Sequence, residues 1–374
     1  MIRILLFCLL TCLFQWGCGE DPQTPYLPNP GQVLPPDVIP TTPDAFADGT
    51  GVIPTPDGAT DASAPTPDLP PGPEADAASD GGTADTGVPT PTPDPGAKGP
   101  YATSVSTLSL NAGVMGSLSV DVYLPQGVET AALMVYGPGF QLAANNFVWV
   151  GEHLASWGLA VMIPTFGDSL FSAADHADLA NAMMALVDSA LAGELGVDID
   201  PSRVAMGGHS RGGKAAALAT TLDDRVVAYL GHDPVDAVGG PLGGEPTPEN
   251  PSVTPELMGG FTVPALFMGA GQGAEGFAAC APTEDNYHAY YTHAQSAPAY
   301  EHLLPDAGHM DFADNVSFLL ASTCPTNANA DAVKAVVGAS SVAFLKVYLD
   351  GDETYQPWLD GDQASTDLII ATKN

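Results

Sequence analysis

Basic side chains are scarce in this chain. Only 9 of its 374 residues are lysine or arginine, against 44 aspartates and glutamates, so the formal net charge is −35. Nucleic-acid backbones and anionic lipid surfaces repel such a chain, which excludes both as direct partners. Charged residues are nevertheless only 14% of the sequence and apolar residues 45%. The acidity therefore reflects missing cations and is compatible with a folded domain.

The N-terminal apolar run, residues 4–14, is too short to span a bilayer and follows a single basic residue, Arg3. It is typical of a secretion signal. The small residue Gly17 followed by Cys18 resembles the processing site of bacterial lipoproteins, although Gln15 stands where such sites usually have leucine. We expect residues 1–18 to be a signal peptide, with Cys18 as the candidate lipid-bearing residue. Ordinary secretory cleavage at the same place is the alternative, and either places the protein outside the cytoplasm.

Large apolar side chains are sparse in residues 19–100, which contain 20 of the 36 prolines. Repeated Thr-Pro-Asp steps favour extended, polyproline-like chain, and like charges extend it further. We expect a disordered Pro/Asp/Thr-rich linker here, followed by one catalytic domain over residues 101–374.

Hydrophobic periodicity begins after residue 100. Apolar runs of strand length alternate with longer amphipathic stretches, an order that favours an α/β fold whose mostly parallel sheet carries helices on both faces. Functional groups in such sheets collect at the carboxyl ends of the strands. The predicted strands are residues 118–124, 131–137, 159–164, 203–207, 226–231, 263–269 and 300–304, and the clearest predicted helices are residues 145–157, 173–192, 214–222 and 330–349.

The strongest chemical signal follows the predicted strand 203–207. The residues GHSRG at positions 208–212 fit the pattern G-x-S-x-G between a strand and an alanine-rich helix. Glycines on either side allow a sharp, strained turn that exposes the serine hydroxyl. Ser210 is therefore the candidate nucleophile, and the backbone N–H of Arg211, at the positive end of the helix, is a candidate oxyanion donor.

A serine hydroxyl becomes reactive only when a base takes its proton, and in this architecture an acid and then a histidine follow the serine along the chain. Among eight histidines, His309 follows the last predicted strand in a loop of small residues and is the candidate base. Asp233 directly follows a predicted strand and is the candidate acid, with Asp236 and Glu275 in reserve. The loop after strand 131–137 offers the backbone N–H of Phe140 as the second oxyanion donor.

Several motifs together resemble the chlorophyllases: GHSRGGK, DPV, CAPT, GHMD and VAFLK at residues 208–214, 233–235, 280–283, 308–311 and 342–346. Their order and approximate spacing agree over most of residues 105–350. The resemblance implies an α/β-hydrolase serine esterase in which Ser210 is the nucleophile, Asp233 the acid and His309 the base.

Residues 138–140, 149, 154–158 and 344–355 are also similar to bacterial cutinase-like polyester hydrolases. That group places its acid after the next strand, where this chain has Gln272 and Gly273. The chlorophyllase-type arrangement therefore fits better. The signal and linker suit a protein of the bacterial cell envelope, either lipid-anchored or secreted.

Cysteines number only five. When Cys8 and Cys12 are removed with the signal and Cys18 is assigned to lipid, Cys280 and Cys324 are left as one pair in an oxidising location. We predict a disulfide between them, with two separately buried thiols as the alternative. No Cys/His cluster has zinc-ligand spacing and no glycine-rich phosphate loop is present, so no metal or nucleotide cofactor is expected.

The sequence thus predicts a serine carboxylesterase that hydrolyses a small-molecule or polymeric ester through an acyl-enzyme. Apolar residues near the expected mouth of the site, namely Phe140, Leu142, Phe147 and Phe166, suggest a substrate with an acyl or alkyl chain, unless they belong to the core. A transacylase or amidase would use the same site residues. The competing hypothesis is an α/β-hydrolase scaffold that serves as a surface-displayed binding module.

Overall fold

The computed structural model describes residues 92–169, 172–238, 244–275, 279–295, 297–324, 326 and 328–374. The predicted signal peptide, Cys18 and the predicted linker up to residue 91 lie outside these residues.

Nine strands form one sheet in the order β1-β2-β4-β3-β5-β6-β7-β8-β9. The six strands from β4 to β8 in this order run parallel to one another, whereas β1, β2 and β9 pair in antiparallel fashion at the two sides. The mostly parallel sheet of an α/β-hydrolase is therefore confirmed. The strands are β1 (Thr103–Asn111), β2 (Ser117–Pro125), β3 (Thr130–Gly137), β4 (Leu159–Thr165), β5 (Asp198–His209), β6 (Val226–His232), β7 (Ala265–Ala270), β8 (Ala299–Leu304) and β9 (Ile370–Lys373).

Helices cover both faces of the sheet. One apolar core lies between the sheet and α2 to α5, and a second lies between the opposite face and α1, α7 and α8. The helices are α1 (Val148–Ser156), α2 (His176–Leu191), α3 (Arg211–Leu222), α4 (Glu256–Gly259), α5 (Tyr287–His293), α6 (Phe318–Thr323), α7 (Ala330–Asp350) and α8 (Pro357–Asp360), with 3-10 turns at Gly113–Met115, Ala144–Asn146, His309–Phe312 and Glu353–Tyr355.

Central strands are apolar on both sides because helices cover both faces. In β3 every residue except Thr130 is buried. Such continuous apolar runs are what the sequence shows for the central strands, and all seven predicted strands are present. The outer strand β1 has only one buried residue, Leu110, and its serine- and threonine-rich sequence carries no such run.

Helix α7 begins at the N-cap Asn329, whose side chain accepts hydrogen bonds from the backbone N–H groups of Asp331 and Ala332, and ends at Gly351 in the left-handed conformation (φ 69°). It is long and apolar enough to cross a membrane, yet more than half of its most apolar window is buried. This burial is expected of a core helix packed on a sheet.

Residues 92–101 lie beside α1, at the amino edge of the sheet, where β4 starts. The His153 Nε2 atom donates to the carbonyl of Pro95 at 3.0 Å, and the Trp157 indole donates to the carbonyl of Ala97 at 3.1 Å. The backbone N–H of Gly99 donates to Ser156 Oγ at 2.9 Å. Contacts with the folded domain therefore begin before residue 101, within the segment assigned to the linker from the sequence.

Candidate active site

Ser210 lies on a sharp turn between β5 and α3, with φ 56° and ψ −126°. A non-glycine residue adopts this left-handed conformation only at a cost in strain. The flanking glycines have no room for side chains: a Cβ on Gly208 would lie 2.5 Å from the carbonyl oxygen of Gly137, and one on Gly212 would lie 2.0 Å from the same oxygen. The turn therefore requires both glycines, as the G-x-S-x-G pattern predicts.

The structure brings Ser210, His309 and Asp233 together. The His309 Nε2 atom lies 3.0 Å from Ser210 Oγ, and its Nδ1 atom lies 2.6 Å from Asp233 Oδ2. Because a carboxylate accepts, Nδ1 carries the proton and Nε2 is free to accept from the serine hydroxyl. His309 is 3% exposed and Asp233 is fully buried, so the bond between these two residues is shielded from water.

Asp233 occupies a second strained turn, directly after β6, with φ 45°. Its backbone N–H donates to the carbonyl of Met268 at 2.6 Å, and its Oδ1 accepts from the N–H of Ala270 at 3.1 Å. Both bonds tie it to β7, so the carboxylate is fixed between two strands before it meets the histidine.

Asp236, the first reserve acid, has a different set of contacts. It forms a buried ion pair with Lys214 (Nζ to Oδ1, 3.1 Å) and accepts hydrogen bonds from Ser252, Val253 and Thr254. This pair connects α3 to the loop ahead of α4. The other reserve, Glu275, is exposed, and Gln272 in the loop after β7 bonds the carbonyl of Pro305.

The loop after β3 passes directly beside the serine. A Cβ on Gly139 would lie 3.2 Å from Ser210 Cβ, and Gln141 adopts a left-handed conformation with φ 60°. Phe140 lies between these two residues. Arg211 is the first residue of α3, so its backbone N–H has no acceptor within the helix. Both candidate donors therefore lie on backbone that adjoins Ser210.

The Arg211 side chain forms an ion pair with Asp168, in the loop after β4, and its guanidinium carbon lies 5.1 Å from the centre of the Phe140 ring. The two charged side chains are 10% and 1% exposed. Burial lowers the pKa of the Arg211 guanidinium, and the neighbouring carboxylate opposes this effect.

His209 lies against the candidate base, His309. Its Nε2–H donates to the carbonyl of His309 at 2.9 Å, and the two rings lie 4.5 Å apart between centres. Complete burial lowers the pKa of His209 well below its ordinary value, so the ring stays neutral beside His309. This residue was not selected from the sequence, and only the long-range contact shows its position.

A second buried histidine lies at the end of β6. The Tyr136 hydroxyl donates to His232 Nδ1 at 2.9 Å, and His232 Nε2–H donates to Ser341 Oγ at 3.0 Å. Trp149 stacks on the ring, with an interplanar angle of 8°. Burial lowers the pKa of His232 to about 3.

Three of the four apolar residues expected at the mouth of the site belong to the core instead. Leu142, Phe147 and Phe166 are only 4%, 0% and 6% exposed, because the sheet and its helices enclose them. Phe140 alone is partly exposed. The inference of an acyl or alkyl pocket therefore loses most of its support from these residues.

The predicted disulfide is confirmed. Cys280 and Cys324 are bonded, with their Cα atoms 5.6 Å apart. The bridge connects the loop after β7 to the end of α6, the helix that follows the His309 turn. Within the described ranges, no group of three or more His, Cys, Asp or Glu side chains is placed to hold a metal ion.

The family model described as Chlorophyllase matches residues 97–365. The chain belongs to the chlorophyllase family. It is therefore a serine hydrolase of the α/β-hydrolase type that acts on carboxylic esters.

Curated relatives include plant and bacterial proteins. Chlorophyllase-1, chloroplastic, of Citrus unshiu is 28% identical over 244 residues, which is 62% of this chain and 72% of that protein. Chlorophyllase-2 of Arabidopsis thaliana is 32% identical over 174 residues, 41% of this chain and 52% of that protein. Cutinase 1 of Thermobifida cellulosilytica is 24% identical over 265 residues, 70% of this chain and 85% of that protein. The resemblance to two esterase groups read from the motifs is thus confirmed.

Proposed function

We propose that this member of the chlorophyllase family hydrolyses carboxylic esters by a Ser210-His309-Asp233 triad. The observation that carries the proposal is the unbroken hydrogen-bonded chain from Ser210 Oγ through His309 to Asp233, with contacts of 3.0 and 2.6 Å. Three residues far apart in the sequence meet on the turns that follow β5, β6 and β8.

In the first half of the reaction, Ser210 Oγ attacks the ester carbonyl while its proton passes to His309 Nε2. Asp233 stabilises the imidazolium that forms and keeps the ring in the required tautomer. The backbone N–H groups of Phe140 and Arg211 donate to the oxyanion of the tetrahedral intermediate. His309 then gives its proton to the departing alcohol, which leaves the acyl group on Ser210.

In the second half, water attacks the acyl-enzyme and His309 takes a proton from it, then returns that proton to Ser210 Oγ as the acid product leaves. The buried neutral ring of His209 favours both steps, because a second positive charge 4.5 Å away would oppose the imidazolium.

The proposal is tested with a fluorophosphonate probe, which phosphonylates only an activated serine. We expect wild-type protein to be labelled at Ser210, as identified by peptide mass, and the Ser210→Ala variant to remain unlabelled. An unlabelled wild-type protein would support the binding-module hypothesis and reject the esterase. Labelling at another serine would reject the assigned nucleophile.

For the substrate, we propose a carboxylic ester with a substantial apolar part, since the named relatives are chlorophyllases and cutinases. Rates on chlorophyll, on an aliphatic polyester and on short p-nitrophenyl esters separate the candidates. Turnover confined to the short esters would reject both large substrates.

We further propose that residues 1–18 contain a signal peptide that is cleaved ahead of Cys18, that Cys18 is lipidated and that the chain between Cys18 and residue 92 tethers the domain outside the cytoplasm. The disulfide supports an oxidising compartment. Palmitate labelling of the full-length chain in a bacterial host, lost in Cys18→Ser, tests the anchor. An unlabelled wild-type chain would reject it and favour plain secretion.

A further inference from the structure

The Arg211 side chain joins three loops at the carboxyl edge of the sheet. Arg211 itself begins α3 directly after Ser210, its guanidinium is paired with Asp168 after β4, and it faces the ring of Phe140 after β3. None of these contacts is needed for the proton transfers proposed above.

We propose that Asp168, Arg211 and the Phe140 ring form a positioning unit that fixes the two oxyanion donors relative to each other. The donors are the backbone N–H groups of Phe140 and Arg211, so the inference rests on the proposed function. Arg211 supplies one donor through its backbone N–H, and its side chain holds Phe140, which supplies the other.

The chemistry of the contacts suits this role. A guanidinium is attracted to the face of an aromatic ring, most strongly where both are removed from water. Here the Arg211 side chain is 10% exposed, and Asp168, which is 1% exposed, accepts from its Nη2 atom and holds that end of the guanidinium beside the ring. Lysine would retain the charge but not the planar contact.

The backbone of the loop that carries Phe140 is strained next to this residue. Gln141 is held at φ 60°, and Gly139 is pressed against the serine turn, so the loop stays in an unfavourable conformation close to Ser210. Oxyanion stabilisation depends on donors that are in place before charge develops. Loss of the side-chain contact therefore weakens transition-state binding while leaving the triad intact.

The experiment compares Asp168→Asn and Arg211→Met with wild-type protein on a short p-nitrophenyl ester. We expect kcat to fall about 10- to 100-fold with KM within about threefold of wild type, since loss of one whole donor costs about 100- to 1,000-fold. An alkylboronic acid, whose boron adds Ser210 Oγ to give a tetrahedral anion, serves as a transition-state mimic. Its inhibition constant should rise by the same factor as kcat/KM falls.

A double variant, Asp168→Asn with Phe140→Leu, should lose little more than the worse single variant, because both changes disable one unit. The matched control is Arg225→Met, which removes an arginine paired with Asp223 and Asp188 beyond the other end of α3. It should leave kcat and the inhibition constant unchanged.

Unchanged kcat in Asp168→Asn would overturn the inference, as would a rise in KM alone, which would mean that Arg211 binds substrate. A fall in kcat without weaker boronate binding would also overturn it. Asp168→Asn keeps the side-chain volume and so remains informative if Arg211→Met does not fold. Fluorophosphonate labelling of the wild-type protein reports separately on the proposed function.

Discussion

At the carboxyl edge of the sheet, Gln141, Ser210 and Asp233 hold left-handed backbone conformations with side chains attached, whereas the turns that lead into β3 and β5 use Gly127 and Gly196 for the same purpose. Glycine adopts these angles without strain, while other residues are destabilised by roughly 1–3 kcal/mol each. The amino edge thus follows the ordinary rules of turn chemistry. At the carboxyl edge the candidate nucleophile Ser210 and the candidate acid Asp233 depart from them, and so does Gln141 beside Phe140.

The space around the glycines also differs between the turns that lead into β3 and β5 and the turn that carries Ser210. Nothing lies within 4 Å of a Cβ built on Gly127 or Gly196, whereas Gly208 and Gly212 are pressed against the backbone of Gly137. Gly127 and Gly196 allow a left-handed turn, whereas Gly208 and Gly212 allow two loops beside Ser210 to touch. Close backbone contact and backbone strain therefore occur together at the turn that carries Ser210.

The largest expected effect is a loss of kcat that distinguishes Ser210, directly after β5, from Ser202, near the amino end of that strand. Ser210→Ala at the carboxyl edge should lower kcat on a p-nitrophenyl ester by about 10⁴- to 10⁶-fold, because the nucleophile is lost. Ser202→Ala, within β5 near its amino end, removes only a hydroxyl bonded to Asp200 and should leave kcat unchanged. Steady-state kinetics decide, and near-normal activity of Ser210→Ala would refute the triad.

A smaller effect should distinguish the two classes of glycine. Gly212→Ala places a methyl group 2.0 Å from a backbone oxygen and should destabilise the fold by about 3 kcal/mol or more. Gly127→Ala, at φ 79° in open space, should cost about 1–2 kcal/mol through backbone strain alone. Urea unfolding measures both, and equal losses would remove the distinction between the edges.

A further effect concerns acid. The pKa of His232 is about 3 in the folded protein, so between about pH 6.5 and that value the unfolded chain binds a proton that the folded chain does not. Stability therefore falls as pH falls, by about 1.4 kcal/mol per pH unit from this residue. The measurement is the free energy of unfolding at about pH 6 and about pH 4.

In His232→Gln the free energy of unfolding should fall less steeply with falling pH than in wild type, by about 1.4 kcal/mol per pH unit. Gly127→Ala is the control, because it removes no ionisable group. It should lower the free energy of unfolding equally at both pH values. An identical slope in wild type and His232→Gln would mean that the buried ring takes up its proton while the protein is folded.

The central sheet was accessible from sequence because its strands are buried on both faces and read as apolar runs. Strands β1 and β9 carried no such signal: both lie at the sides of the sheet, and β9 has no buried residue. Their place is set by pairing with β2 and β8, which is a long-range property. Helix α3 begins at Arg211, three residues earlier than expected, because the turn at Ser210 overrides the low helix propensity of the two glycines that follow.

In the site, order along the chain and strand position sufficed to select the three residues that the structure brings into contact. Nothing in the sequence indicated Asp168, because its partner Arg211 is 43 residues away and the motif that contains Arg211 does not include Asp168. The same holds for His209, whose bond to the carbonyl of His309 spans 100 residues. Motifs therefore predict the candidate catalytic residues, whereas residues that contact and position them, such as Asp168 and His209, are found only from the packing of the folded chain.

The attachment of residues 95–99 beside α1 has a practical consequence. Trp157 and Ser156 hold this segment where β4 starts, while Ser210 lies where β5 ends, and both strands run parallel to β3. An affinity matrix, reporter or carrier protein joined directly ahead of residue 92 is therefore attached at the end of the strands opposite Ser210. Immobilisation at that point leaves the edge that carries Ser210 facing away from the support.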